Sequence, residues 1–108
     1  MNKKYFALKL LPSRPTFAFD MSEDEKAVMN EHVAYWKDLM DKGIALIFGP
    51  VLDPAGPYGF GVVAVDEEVQ VHEITTRDPA TKLNKYEIYL MLAVTPQNKN
   101  FHTYSHPK

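Results

Sequence analysis

The stretch Ser22-Glu23-Asp24-Glu25-Lys26-Ala27-Val28-Met29-Asn30-Glu31-His32-Val33-Ala34-Tyr35-Trp36-Lys37-Asp38-Leu39-Met40-Asp41-Lys42-Gly43 decides the fold. It opens as a capping box, in which the Ser22 side chain takes the Glu25 amide while the Glu25 side chain reaches back. Acids crowd the first turn, where the helix dipole favours them, and Gly43 closes the run as a left-handed cap. At about 100° per residue, Val28, Met29, His32, Tyr35, Trp36, Leu39 and Met40 share one stripe. The spacing predicts a single amphipathic helix to about Lys42, and its apolar side must be covered by another layer.

Upstream, Lys4 to Leu11 reads as a strand with Tyr5, Ala7 and Leu11 on one side and Phe6, Leu8 and Leu10 on the other. Pro12 and Pro15 end it and open a loop to Asp20 that carries Arg14, Phe17 and Phe19. Downstream, Ile44 to Asp53 and Tyr58 to Asp66 form a hairpin across the turn Pro54-Ala55-Gly56-Pro57. Gly49-Pro50 interrupts the first of these strands and suggests a bulge. Asp66-Glu67-Glu68 then starts a second helix, with Val71, Ile74 and Asp78 a turn apart on one face and Pro79 at its exit. Val69-Gln70-Val71 also alternates as a strand would. A last strand runs from Tyr86 to Val94.

This order, βαββαβ, is the ferredoxin-like α+β pattern, with two helices on one face of an antiparallel sheet. The first and fourth strands offer apolar side chains to both faces, so the face without helices is expected to pack against a second copy, giving a homodimer.

A chain of 108 residues suits one domain, here expected over 1–96, followed by a polar tail over 97–108. A formal net charge of −2 offers no field for phosphate backbones, so nucleic acid is not an expected partner. There is no cysteine, which excludes disulfides, thiolate nucleophiles and cysteine-ligated metals. The apolar run after Met1-Asn2-Lys3-Lys4 is broken by Lys9 and Pro12, too short for a signal or a membrane span. The expectation is a cytoplasmic protein without a membrane partner.

His32 is the chemical question in the helix, because a titratable group stands in the middle of an apolar stripe. It reads either as a core histidine with satisfied nitrogens or as a general acid or base beside a pocket. Asp78 poses the same question, since a carboxylate on a buried face must be capping, exposed or paired. It reads as a turn carboxylate before Pro79, or as the group that fixes the His32 tautomer. Tyr35, Trp36 and Phe48 could wall a small-molecule pocket, with Arg14 and Tyr58 as polar contacts. Tyr58-Gly59-Phe60-Gly61 lacks the following helix that a phosphate loop requires. His72, His102 and His106 have no spacing partners for a metal site, and no organic cofactor is implied.

Together Glu31-His32 with Tyr35-Trp36 and Gly43, Phe48-Gly49-Pro50-Val51 with Asp53-Pro54, and Asp78-Pro79 resemble the YCII-related domain family. The likeness runs to about Pro96. The loop Arg14-Pro15-Thr16-Phe17 and the pair Glu87-Ile88 resemble a longer branch. The resemblance implies a ferredoxin-like fold assembled as a dimeric α+β barrel, and a proposed active-site dyad falling on His32 and Asp78. Some short relatives carry an arginine shortly before the histidine, where this chain has Asn30 and Glu31. The family is similar in structure to muconolactone isomerases and includes members linked to breakdown of chlorinated aromatics. The resulting expectation is an enzyme moving a proton on a small ring or carbonyl compound by isomerisation, elimination or hydrolysis. A non-catalytic ligand-binding domain and a purely structural dimerisation module are the alternatives.

Overall fold

A computed structural model describes residues 2–99. The elements in order are β1 (Lys4–Leu11), α1 (Phe17–Asp20), α2 (Glu23–Asp41), β2 (Ala45–Val51), β3 (Tyr58–Val65), α3 (Glu68–Arg77), a 3₁₀ turn over Pro79–Lys82 and β4 (Lys85–Met91). The capping box forms as its spacing predicts: the Ser22 hydroxyl accepts from the Glu25 amide at 3.1 Å, and the Glu25 carboxylate accepts from the Ser22 amide at 2.8 Å. Gly43 stands at φ +77°, the left-handed geometry that lets the chain leave α2 for β2.

The strand order is β2-β3-β1-β4, with every neighbouring pair antiparallel. This is the ferredoxin-like α+β arrangement. Phe6, Leu8 and Leu10 of β1 lie under the helices and are buried, joined by Val63 and Val65 of β3. Trp36 and Leu39 of α2 and Val71 and Ile74 of α3 complete the core. Val71–Ile74 spacing therefore settles the segment as helix rather than strand, since Val69 is exposed while Val71 is fully buried. Gln70 supports the start of α3 by accepting from the Asp66 and Glu67 amides, both at 2.8 Å.

Three details depart from the sequence reading. Gly49 and Pro50 pair in register with Phe60 and Gly59, and the irregularity falls between Ala45 and Ile47 instead. Pro50 is tolerated because β2 is an outer strand, where a missing N–H need not break a ladder. The segment after β1 is not wholly irregular, because Thr16 accepts from the amides of Phe19 and Asp20 and turns α1. Met40 is 40% exposed, so the buried stripe of α2 narrows to Trp36 and Leu39 at its far end.

On the sheet face opposite the helices, alternation places Ile47, Phe60, Tyr89 and Met91, all exposed, around the buried Val62 and Ala64. No helix among the described residues is long and apolar enough to cross a membrane. Most of the expected tail, with His102 and His106, lies outside the described residues.

Candidate active site

Asp78 stands where α3 ends and the 3₁₀ turn begins, and its side chain is fully buried. An isolated carboxylate there would carry a heavy desolvation cost, so its partners decide whether it can exist. It has four donors. His32 Nδ1 lies 2.9 Å from Oδ1 and 2.8 Å from Oδ2. Trp36 Nε1 donates to Oδ2 at 3.0 Å, the Ala80 amide donates to Oδ1 at 2.9 Å, and the Tyr86 hydroxyl donates to Oδ2 in a short hydrogen bond. Burial opposes the charge, but the hydrogen bonds from His32, Tyr86 and the Ala80 amide outweigh it and hold the Asp78 carboxyl below the ordinary range. Burial, reinforced by the Asp78 charge, pushes the Tyr86 hydroxyl well above its usual value, so it stays a donor.

His32 and Trp36 are one turn apart on α2, which aims both rings at this carboxylate. The Trp36 indole can approach β3 closely because Gly61 has no side chain: a Cβ there would meet Trp36 Cη2 at 2.6 Å and Cζ3 at 2.7 Å. Phe48 of β2 closes the other side, its ring centroid 5.5 Å from that of Trp36.

A carboxylate accepting at Nδ1 fixes the proton on that nitrogen and leaves Nε2 to the other side of the ring. The His32 ring is part of the wall of a cavity of about 400 Å³, which also includes Trp36, Phe48, Tyr58, Tyr86 and Met29. His32 keeps 12% of its side chain exposed. Phe17 and Phe19 of α1 with Met21 form one rim.

Arg14 and Tyr35 are the two sequence-predicted contacts that the structure keeps out of this cavity. Arg14 donates to both Glu25 oxygens at 2.9 Å and to the Asp20 side chain at 2.9 Å. Two nearby carboxylates thus claim the guanidinium before any ligand could, and they raise its pKa while it lowers Glu25 to about 2. Tyr35 is turned toward α3, where its hydroxyl donates to the Ile74 carbonyl at 2.6 Å. Tyr86 is the site residue that sequence reasoning missed. Its signal was available: Tyr86 alternates with Ile88 and Leu90 on the helix side of β4, and a tyrosine pointed into a core needs a hydroxyl partner.

His72 reaches only Glu68, at 3.6 Å on the surface, and no cluster among the described residues has the three ligands a metal needs. The arrangement can hold an imidazole in one tautomer against a buried negative charge, in the wall of a cavity.

The sequence profile of the YCII-related domain matches residues 6–95. Curated proteins give no match. Among solved structures, the chain is similar to 5-chloro-2-hydroxyhydroquinone dehydrochlorinase from Burkholderia phenoliruptrix in complex with 2,5-dihydroxybenzoquinone, with a TM-score of 0.60 and 19% identity. That match covers 86% of this chain and 98% of the other.

Proposed function

Since this chain belongs to the YCII-related domain family, we propose that it is an enzyme in which His32 Nε2 moves a proton on a small ring or carbonyl compound held in the cavity. What supports the reading is the His32–Asp78 pair, with Nδ1 at hydrogen-bond distance from a buried carboxylate and the ring in the wall of a cavity. A neutral imidazole locked with its proton on Nδ1 presents a lone pair on Nε2, and the imidazolium formed on taking a proton is stabilised by Asp78. Removal of a proton from carbon is the step common to isomerisation and elimination. The dehydrochlorinase of similar fold supports an elimination, because such a reaction expels a proton together with chloride. Trp36 and Phe48 would wall the bound ring, while the Tyr58 ring is covered by the Lys9 ammonium at 4.4 Å.

A test that needs no knowledge of the net reaction is deuterium exchange at carbon, followed by proton NMR in heavy water over a panel of small cyclic ketones, lactones and chlorinated hydroxyquinols. The expected result is exchange at one carbon of some member, accelerated by the protein and reduced at least about a hundredfold in His32→Gln. Exchange that is absent throughout, or indifferent to the substitution, overturns the enzyme reading and leaves ligand binding without turnover.

A further inference from the structure

The cavity around His32 also carries information about charge. Among the described residues, none that lines it is a lysine, an arginine or an acid. The polar side chains in its wall are mostly engaged within the fold. Tyr86 gives its hydroxyl hydrogen to Asp78 and accepts from Trp36 Nε1 at 3.0 Å. Asn84 accepts from the Ser13 amide at 3.2 Å and donates to Met29 Sδ at 3.6 Å. Immediately behind His32 and Trp36 sits the fully buried Asp78 carboxylate. The apolar surface continues outward at the mouth, where Phe19 is 78% and Leu52 77% exposed.

We propose that this site selects an uncharged, predominantly apolar molecule that turns one polar group to His32, and that it rejects carboxylates and phosphates. The proposal rests on the reading of His32 Nε2 as the group that meets the ligand. An anion entering the cavity would shed its hydration with no lysine or arginine in the wall to replace it, since Arg14, over the Phe17 ring, is held by Asp20 and Glu25 and Lys9 lies over the Tyr58 ring. It would also stand in the field of a buried carboxylate that repels it. An apolar body loses nothing of the kind, and each methylene taken out of water adds to affinity. Exposed Phe19 and Leu52 extend the same surface to a ligand longer than one ring.

The chain has one tryptophan, Trp36, and it lines the cavity, so its fluorescence reports occupancy. The test titrates the full chain at neutral pH with 4-tert-butylphenol and with 4-tert-butylbenzoate, which share an apolar body and differ in charge. The phenol is expected to change the emission saturably, and the benzoate to bind at least about tenfold more weakly, a difference of about 1.4 kcal/mol. Equal or tighter binding of the benzoate overturns the proposal, and so does the absence of saturable binding by the phenol. The two readings fail separately: selective phenol binding without any carbon exchange removes the enzyme and keeps the selectivity, whereas carbon exchange on a member of the panel together with equal or tighter binding of the benzoate does the reverse.

Discussion

Trp36 rests on the bare backbone of Gly61, and a Cβ at that position would lie within 2.7 Å of two atoms of the indole ring. The ring cannot withdraw freely, because its Nε1 is tied to Asp78 and Tyr86 and Phe48 lies alongside. Gly61→Ala is therefore expected to destabilise the fold by about 1–3 kcal/mol, as overpacked cores do. Urea unfolding followed by Trp36 emission measures it, and an unchanged midpoint would contradict the packing.

The His32 tautomer follows from Asp78 and can be read directly. Nitrogen-15 NMR of the histidine side chains should show the His32 proton on Nδ1 when the ring is neutral, since that nitrogen faces the carboxylate. In Asp78→Asn the preference should weaken, and the proton transfer proposed for His32 should fall about 10²–10⁴-fold as the orienting charge is lost.

Acid should weaken the fold through Asp78. Its carboxyl titrates below the ordinary 3.8 in the folded chain, so the ionised form favours folding. This contribution is whole above about pH 4 and is lost as pH falls through the folded value. Tyr86→Phe removes one of the hydrogen bonds that depress it. The variant should be less stable by about 1–3 kcal/mol at neutral pH, with a gap that closes in acid. Urea midpoints of both proteins over a pH series check this, and a gap independent of pH would show that Tyr86 does not act through the Asp78 charge.

Arg14 pins the segment that rims the cavity. Its paired bonds to Glu25 and its bonds to the Asp20 side chain and carbonyl tie α1 to the start of α2. Arg14→Ala should accelerate amide hydrogen exchange at Phe17, Phe19 and Asp20 while leaving α3 unchanged. Arg14→Lys should restore little of the protection, because a lysine cannot engage a carboxylate in bidentate fashion.

The sheet face that carries Ile47, Phe60, Tyr89 and Met91 is proposed to meet the same face of a second copy. Light scattering at micromolar concentration should give twice the 12.3 kDa of the chain. Ile47→Lys together with Tyr89→Lys should yield a folded monomer, and a wild-type monomer would sink the proposal.

Local signals were the ones the sequence carried well. The Ser22–Glu25 box, Gly43, and the spacing of Val71 and Ile74 each depend on neighbours a few residues away, and they located α2 and α3. The ferredoxin-like order followed from them. What the sequence hid depends on distant residues. That Gly61 of β3 serves as a seat for Trp36 follows from how α2 packs on the sheet, which the local pattern Tyr58-Gly59-Phe60-Gly61 does not reveal. Arg14 reads as a contact of the pocket because Asp20 and Glu25 become its partners only once α1 and α2 are folded beside each other. Tyr86 entered the Asp78 cluster from β4, eight residues downstream of the carboxylate it binds. His32 and Asp78 were legible as two problems of burial, and the structure places them 2.8 Å apart.

One carboxylate thus terminates α3, caps the 3₁₀ turn through the Ala80 amide, and gathers His32, Trp36 and Tyr86. In a lineage carrying this arrangement any change at Asp78 disturbs chain direction, core and imidazole together, so the cluster around it is constrained. Phe19 and Leu52 at the rim carry no such obligations. Divergence among descendants should then accumulate at the doorway and alter which molecules are admitted, while the inner machinery passes down unaltered.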